Sequence, residues 1–373
     1  METDSGKKAI AESTPAKVKA GYKIGKGFYL ETLDDKFKLE IGNRLQVRYT
    51  YDDDEGAENT SSFRVRRHKV FFTGHAFTKR LTYKVQWNLP AEDGRGQLED
   101  AYANFKFIDF FQMRGGQYKV PYNREELISS GKQQFVDRSI ASEEFNLDRD
   151  IGVMFHAKPM KGLFEYNLAV MTGAGINATK NTNDAMLWTA RFAVNPLGDF
   201  DAYSESDLKY EETPKLALGA AFATDDGSKM FVRDKVRSFK KAVNTRQVTG
   251  DALFKWRGFS FLGAGFWREI NAHTGESGFS RSGTNANGYT LQAGYFVPTP
   301  LLQKHLEFAG RYSYFDPNLR TRKDSEREWG GAVNWFFNDH NNKIQADVRK
   351  LITERSNDDK DDLEFRLQYQ LIF

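Results

Sequence analysis

The chain has 373 residues, with 54 Lys and Arg against 51 Asp and Glu, and no cysteine. The lack of cysteine excludes disulfide scaffolds and cysteine-ligated metal sites. Charged residues make up 28% of the chain and mean hydropathy is −0.65, and no run reaches the roughly 18 consecutive apolar residues that a membrane helix needs. A net charge of +3 is too small to indicate a nucleic-acid partner.

The N-terminal segment 1–26 is polar and lacks the apolar stretch of a signal peptide. Its Lys, Ala and Glu content is compatible with a short helix but does not predict a packed element. We expect a flexible segment over 1–26 and one domain over 27–373.

From residue 36 onward, apolar and polar residues alternate with a period of two, which predicts strands with one apolar face. In the first run, Leu45 and Val47 fall on one face, and Arg44 and Arg48 fall on the other. About sixteen such runs follow one another, each near the ~9–11 residues that a tilted strand needs to cross a bilayer. Strands of soluble sandwiches are shorter, with a mode of ~5–6 residues. The sequence therefore predicts an all-β fold, a 16-stranded antiparallel transmembrane β-barrel.

The connections between these runs alternate in length. Short links such as 108–110 and 257–258 alternate with long ones such as 172–184 and 316–326, and the long link 195–213 is the one exception. Outer-membrane barrels place short turns in the periplasm and long loops outside the cell. The pattern predicts a bacterial outer-membrane protein with its N-terminal segment in the periplasm.

The longest stretch without alternation is 120–149, after the fifth strand of the predicted barrel. It is too long for a plain hairpin connection and contains a possible helical turn at 124–129. A 16-stranded barrel is wide enough to hold water, and a loop folded inward would narrow it. We expect an inward-folded third loop; an exposed surface loop is the alternative.

The chain resembles a known family, the phosphate-selective porins O and P of Gram-negative outer membranes. The resemblance covers nearly all of 25–373, and its densest parts are GFYLETLDDKFKLEIGNRLQ (27–46), SFRVRRHKVFFTGHAF (62–77), QLEDAYANF (97–105), MRGGQYKVPYNREEL (113–127) and TARFAVNPLGDF (189–200). It implies a trimeric barrel of sixteen strands whose third loop constricts the pore. It also implies a basic ladder in the fifth loop that draws anions inward.

One segment of the predicted fifth loop fits such a ladder. Arg233, Lys235 and Arg237 stand at alternate positions of 227–246, so an extended backbone puts them on one side. Arginine forks suit oxyanions, and lysine adds a point charge. The family's ladder is rich in arginine, so Lys235 favours a general anion preference over tight selectivity for phosphate. A solvated charged loop is the alternative interpretation.

A second basic cluster lies where the alternation slips at the start of the second strand, and a bulge is plausible there. By the resemblance, Arg66 and Arg67 correspond to paired arginines near the constriction, and Arg138 corresponds to a basic position of the third loop. Lys119 is a further predicted lumen base. We expect Asp100 to accept hydrogen bonds from Arg66 or Arg67 and to orient the guanidinium group.

These observations predict a water-filled diffusion channel that prefers anions such as phosphate and chloride. Three alternatives stay open: a general non-selective porin, a closed barrel serving as structural anchor or receptor, and, with least support, an outer-membrane enzyme. No catalysis and no cofactor are implied. Expected partners are outer-membrane lipid, lipopolysaccharide and two further copies of the chain. Divalent cations could bridge the acidic runs at 52–55 and 358–362 to lipopolysaccharide; ordinary solvated loops are the alternative for these runs.

Overall fold

The computed structural model describes residues 17–90, 96–181, 184–228, 243–272, 284–321, 323–355 and 359–373. The strands there are β1 (Val18–Lys23), β2 (Gly27–Thr32), β3 (Lys38–Asp54), β4 (Thr60–Ala76), β5 (Thr78–Asn88), β6 (Gln97–Ile108), β7 (Phe111–Lys119), β8 (Arg149–Ala157), β9 (Phe164–Met171), β10 (Leu187–Val194), β11 (Lys215–Ser228), β12 (Val243–Trp256), β13 (Phe259–Ala272), β14 (Thr284–Phe296), β15 (Leu306–Asp316), β16 (Glu326–Asn338), β17 (Asn342–Thr353) and β18 (Lys360–Ile372). The helices are α1 (Arg124–Leu127) and α2 (Ile140–Glu144), and a 3₁₀ turn spans Met160–Gly162. No helix in these ranges is long and apolar enough to cross a membrane.

Strands β3 to β18 form one closed antiparallel barrel. Each strand pairs with the next along the chain, and β18 returns to pair with β3, from Asp362 opposite Asp54 to Ile372 opposite Arg44. Closure gives the backbone N–H and C=O groups of every strand partners on both sides, which a bilayer demands. The predicted 16-stranded antiparallel barrel is confirmed.

On the barrel wall, polar side chains point into the lumen and apolar side chains point outward, which is the reverse of a soluble protein. In β3, Gln46, Arg48 and Thr50 face the lumen and are at most 2% exposed, whereas Val47 between them is 36% exposed. The outward apolar band includes Trp188, Phe192, Tyr289, Phe308, Trp329, Val333, Val348 and Leu367. Such a continuous apolar band is suited to contact with lipid.

The tight turns lie at one end of the barrel, which we call the short-turn end. Between β12 and β13, Arg257 and Gly258 both have positive φ, 46° and 84°. Two consecutive residues with positive φ form a type I′ turn, whose twist matches that of the flanking strands. The link predicted at 257–258 is therefore a two-residue hairpin turn.

The N-terminal hairpin covers a part of β3 that β18 does not reach. Strand β18 ends opposite Arg44, whereas β3 begins at Lys38. Strand β2 pairs with this free edge of β3, and β1 pairs with β2 along its whole length. The expected flexible segment over 1–26 needs correction from residue 18 onward, because the backbone of β1 finds hydrogen-bond partners in β2. Residues 1–16 lie outside the described ranges.

Loop three, which we define as residues 120–148 between β7 and β8, folds into the lumen as predicted. Helix α1 falls within the predicted turn at 124–129, whereas α2 was not predicted. Oδ1 of Asn123 accepts from N of Glu125 at 3.0 Å, and Oγ of Ser139 accepts from N of Ser142 at 3.2 Å. These caps satisfy backbone N–H groups that would otherwise be unpaired at the helix starts.

One side of loop three is apolar and packs on the lumen wall. Phe145 is fully buried, stacks on Phe266 of β13 at a centroid distance of 5.2 Å and meets Phe315 of β15 edge-on at 5.7 Å. The buried wall beneath loop three carries small residues, including Ala221, Ala223, Ala264 and Ala286. Small inward side chains leave space for a packed loop, which a row of long charged side chains would fill.

A second segment enters the lumen from the short-turn end. This segment, the turn insert, spans residues 195–214 between β10 and β11, and Ser204, Glu205 and Ser206 in it are at most 5% exposed. N of Gln134 in loop three donates to Oε2 of Glu205 at 2.7 Å, and N of Glu205 donates to O of Lys132 at 3.1 Å. The long link that broke the predicted alternation of loop lengths is therefore an inward segment that supports loop three.

We predict that Phe145→Ala loosens loop three while the barrel stays closed. Removing a buried Phe side chain costs about 3–5 kcal/mol, and here the loss falls on the loop, because β13 and β15 keep their backbone pairing. Trypsin should cleave the variant within loop three and leave the wild type intact there. Phe308→Ala is the control, since Phe308 faces outward and is 51% exposed. Equal resistance of both variants would contradict the assignment of Phe145 as an anchor.

Candidate functional site: a basic conduit along one wall

Two adjoining cavities remain between loop three and the wall formed by β3 to β8. The loop-side cavity has a volume of about 420 Å³, and the turn-side cavity has a volume of about 410 Å³. Both are lined by Arg44, Lys69, Lys84, Gln86 and Ser129, so they meet at these residues. We call the two cavities together the conduit.

Basic side chains outnumber acidic ones along the conduit. The loop-side cavity is lined by the bases Arg44, Arg67, Lys69, Lys84, Arg114, Lys119, Arg138 and Arg149 and by the acids Glu99, Asp100, Glu126 and Asp148. In the turn-side cavity, the bases that line the described surface are Lys26, Arg44, Lys69, Lys84 and Lys132, and the acid is Glu40. An excess of fixed positive charge in a narrow passage lowers the free energy of an anion relative to a cation.

Two β-bulges create consecutive inward charges beside this conduit. In β4, Gln46 lies opposite Arg67 while the next residue of β3 lies opposite Val65, so Arg66 is the extra residue. In β6, the register shifts at Glu99 in the same way. A bulge re-aims side chains that regular alternation would point to opposite faces. The bulge expected at the second strand is thus confirmed, and the second bulge explains why Glu99 and Asp100 are both buried.

The structure brings together most of the predicted site residues that it describes. Arg67, Lys119, Arg138 and Asp100 all line the loop-side cavity, and Arg66 lies next to Arg67 in the β4 bulge. The other three predicted site residues, Arg233, Lys235 and Arg237, lie outside the described ranges.

The expected partner of Asp100 is wrong. Oδ2 of Asp100 accepts from Nζ of Lys84 at 2.7 Å, and Oδ1 accepts from Nε of Arg149 at 3.1 Å. Arg66 and Arg67 turn instead to Asp137 of loop three. The physical reason is proximity: Lys84 lies on the neighbouring strand β5, where cross-strand partners meet, while the inward loop carries its own carboxylate to the arginine pair.

Asp137 is the central acid of a four-arginine cluster. Arg48, Arg66, Arg67 and Arg366 each place a guanidinium nitrogen 2.7–3.6 Å from its carboxylate. Burial alone would raise the pKa of Asp137, but the surrounding guanidinium groups outweigh burial and hold the pKa well below its ordinary value. The carboxylate is therefore ionised, and it fixes loop three against β3, β4 and β18.

Arg138 and Lys119 fasten the first turn of loop three. Nε of Arg138 lies 2.9 Å from Oε2 of Glu126 and donates to O of Glu125 at 3.1 Å. Nζ of Lys119 donates to the carbonyl oxygens of Glu126 and Ile128. Both residues line the loop-side cavity, but much of their hydrogen-bonding capacity is directed at the loop backbone.

Arg44 and Arg114 are the conduit arginines that no carboxylate within the described ranges neutralises by direct contact. Nη1 of Arg44 donates to Oγ of Ser129 at 2.8 Å, while its buried Nε has no hydrogen-bond partner there. The guanidinium of Arg114 lies 4.4 Å from the ring centroid of Tyr102 and 5.5 Å from that of Tyr118. Arg114 was absent from the predicted site, although the alternation of β7 places it inward and could have identified it.

The turn insert adds a buried acid behind loop three. Oε2 of Glu205 accepts from N of Gln134 at 2.7 Å and from Nε2 of Gln292 at 2.8 Å. Burial, together with the nearby carboxylate of Glu125, raises the pKa of Glu205 to about 7. This acid is neutral in mildly acidic solution and becomes charged as the pH rises past neutrality.

The described residues contain no group of three or more His, Cys, Asp or Glu that could hold a metal ion. The prediction that no cofactor is needed stays a prediction.

Comparison with known proteins identifies relatives of the whole barrel. A family model described as "Phosphate-selective porin O and P" matches residues 37–220 and 266–371. An uncharacterized protein of Aquifex aeolicus is 25% identical, over 94% of this chain and 82% of its own length.

Solved structures share the fold at low sequence identity. OprB of Pseudomonas putida has a TM-score of 0.61 at 9% identity, covering 90% of this chain and 94% of its own. A loop-deletion mutant of OmpT, an outer membrane protein of Vibrio cholerae, has a TM-score of 0.60 at 10% identity, covering 89% and 99%. The outer membrane channel DcaP of Acinetobacter baumannii has a TM-score of 0.58 at 9% identity, covering 92% and 99%.

We predict that Glu205→Gln raises thermal stability at high pH. An acid whose pKa is raised by folding binds more protons in the native state, so it costs stability as the pH rises from its ordinary value of 4.5 to about 7. The variant should melt a few degrees above the wild type in detergent at about pH 8.5, and the gap should close near about pH 5. Glu212→Gln, an exposed glutamate of the same insert, should show no such gap; a gap independent of pH in Glu205→Gln would contradict the assignment.

Proposed function

Because the chain belongs to the family of phosphate-selective porins O and P, we propose that it is an anion-preferring diffusion channel. Family and fold identify a porin of the bacterial outer membrane and support a diffusion channel over an enzyme. The proposal concerns the solute: small inorganic anions, phosphate and chloride, pass more readily than cations.

The excess of basic residues along the conduit is the observation that carries this proposal. Arg44 stands where the two cavities meet, and no carboxylate among the described residues touches it. An anion that loses part of its hydration at this point gains hydrogen bonds from guanidinium and ammonium groups in return. A cation meets the same groups as a barrier.

Weak binding at several places allows the anion to leave again. Lys84 and Lys69 line both cavities, but Asp100 and Glu99 hold them in ion pairs. An ammonium group that is already paired with a carboxylate attracts an anion less strongly than an unpaired one. The solute therefore moves from Arg114 past Arg44 towards Lys132 without being held tightly at one place. Arg233, Lys235 and Arg237 lie outside the described residues, and we keep them as a proposed basic ladder that draws anions inward.

The proposal extends to assembly and surroundings. The outward apolar band contacts outer-membrane lipid, and acidic loop residues around 52–55 approach lipopolysaccharide through divalent cations. A trimer is proposed from the family and from OmpT of Vibrio cholerae, one structure of which is described as a trimer form, at 10% identity and a TM-score of 0.57.

Two other functions have support: the ion pairs at Lys84 and Lys69 favour a non-selective pore, and the filling of the lumen by loop three and the turn insert favours a closed barrel.

We predict an anion-selective reversal potential for the purified protein in a planar bilayer under a gradient of potassium chloride. The fixed positive excess of the conduit should give chloride a permeability several times that of potassium, and phosphate added to the bath should reduce the chloride current. A potential near zero without block would mean a non-selective pore, and the absence of channels would support a closed barrel.

We predict opposite effects from two substitutions in the same cavity. Arg44→Gln removes a charge that no carboxylate balances and should lower the permeability ratio of chloride to potassium severalfold. Asp100→Asn releases Lys84 and Arg149 from their shared carboxylate and should raise that ratio. Asp100→Asn keeps the side-chain size whereas Arg44→Gln shortens the side chain, so single-channel conductance is measured for both variants as the control for pore width. Shifts of the same sign would contradict the proposed conduit.

A further inference from the structure

The cluster around Asp137 has the chemistry of an occupied oxyanion site. Arg48 binds the carboxylate with both terminal nitrogens, Nη1 to Oδ2 at 2.7 Å and Nη2 to Oδ1 at 3.1 Å. Nη2 of Arg67 donates to Oδ1 at 3.1 Å, and Nη1 of Arg366 donates to Oδ2 at 3.2 Å. Nη2 of Arg66 lies 3.6 Å from Oδ1. Forked and converging guanidinium donors of this kind bind carboxylate, phosphate and sulfate alike.

Asp137 is the carboxylate on which Arg48 and Arg67 depend. Among the described residues, neither arginine lies within 4.0 Å of any other acid. Arg366 differs, because Asp347 and Glu364 also contact it. Without Asp137, the guanidinium groups of Arg48 and Arg67 would have no carboxylate within 4.0 Å among the described residues.

The cluster borders the path proposed for solutes. Arg67 lines the loop-side cavity as well as binding Asp137, and the side chain of Arg66 is 27% exposed. A small oxyanion in the conduit can therefore approach the guanidinium group of Arg67, which also binds Asp137.

Loop three has anchors elsewhere. Phe145 is fully buried against β13 and β15. Glu328 of β16 accepts from N of Ile140 at 2.9 Å and from Nε of Arg311 at 2.8 Å. Four arginines on one carboxylate exceed what a loop already held by these contacts requires.

We infer that Arg48, Arg66, Arg67 and Arg366 form an oxyanion site that Asp137 fills as a tethered internal anion. The inference rests on the proposed function. A carboxylate fixed to loop three has a high effective concentration at the site, so a phosphate ion in the conduit must compete with it. Asp137 thereby sets how weakly the channel holds oxyanions.

The test is block of chloride current by inorganic phosphate in Asp137→Asn. The neutral amide leaves the arginines without their anion, so the half-blocking phosphate concentration should fall about tenfold relative to wild type. Asp251→Asn is the matched control: it removes the same charge from another arginine pair, Arg124 and Arg191, and Arg124 belongs to loop three in the filled part of the lumen. Equal phosphate sensitivity of the two variants, or no change in Asp137→Asn, would overturn the inference.

A second variant tests the tether in one assembled channel. The chain has no cysteine, so D137C carries a single thiol. The surrounding guanidinium groups favour the ionised thiolate at this position, so the comparison is made after modification. A neutral methanethiosulfonate reagent should give the strong phosphate block, and an anionic one should leave the weak block. Identical effects of both reagents would overturn the inference, as would failure of both Asp137 variants to assemble while Asp251→Asn assembles.

These outcomes separate the inference from the proposed function. The reversal potential of the wild type decides whether the channel prefers anions. A stronger phosphate block in Asp137→Asn on a non-selective wild-type channel would support the tethered anion and reject the proposed selectivity.

Discussion

The docking of loop three inside the barrel is the constraint on which the rest of the site depends. A 16-stranded barrel leaves an aqueous lumen, and a long segment can remain there only if its backbone groups and side chains find partners. Phe145 packs on a wall made of small residues, and Asp137 binds arginines on the opposite wall. The turn insert supports the loop through Glu205. The conduit lies along β3 to β8, so loop packing decides which wall residues a solute meets there.

The barrel was predictable from the sequence because its signal is local and repeated. Period-two alternation and alternating loop lengths predicted the strand number and the inward loop, and the slip near Arg66 predicted the bulge. The turn insert was visible only as an exception in loop length. Its inward course depends on contacts such as Glu205 with Gln134, which join segments about seventy residues apart and follow no period.

The partners of the charges were the least predictable part of the site. Asp100 was assigned to the arginine pair because both were predicted to face the lumen, yet a cross-strand lysine reaches it first. Loop three supplies Asp137 instead, and a loop without regular alternation gives no indication of where its carboxylates point. Arg114 shows the converse: the alternation of β7 places it inward, but its importance depends on the lack of a neighbouring acid within the described ranges, a property of three-dimensional packing.

Selectivity in such a pore depends on the balance between attraction and release. Bare arginine clusters would bind a doubly charged oxyanion tightly, and a tightly bound ion blocks the path it should follow. In the proposed anion channel, two arrangements weaken binding: wall carboxylates share the lysines, as at Lys84 and Asp100, and the inferred internal anion Asp137 occupies the four-arginine cluster. The second arrangement differs physically from the first, because a carboxylate on a loop can yield its place to a solute while one on a strand is fixed by the sheet. Positioning the acid on loop three therefore couples the retention of the solute to the segment that defines the width of the pore.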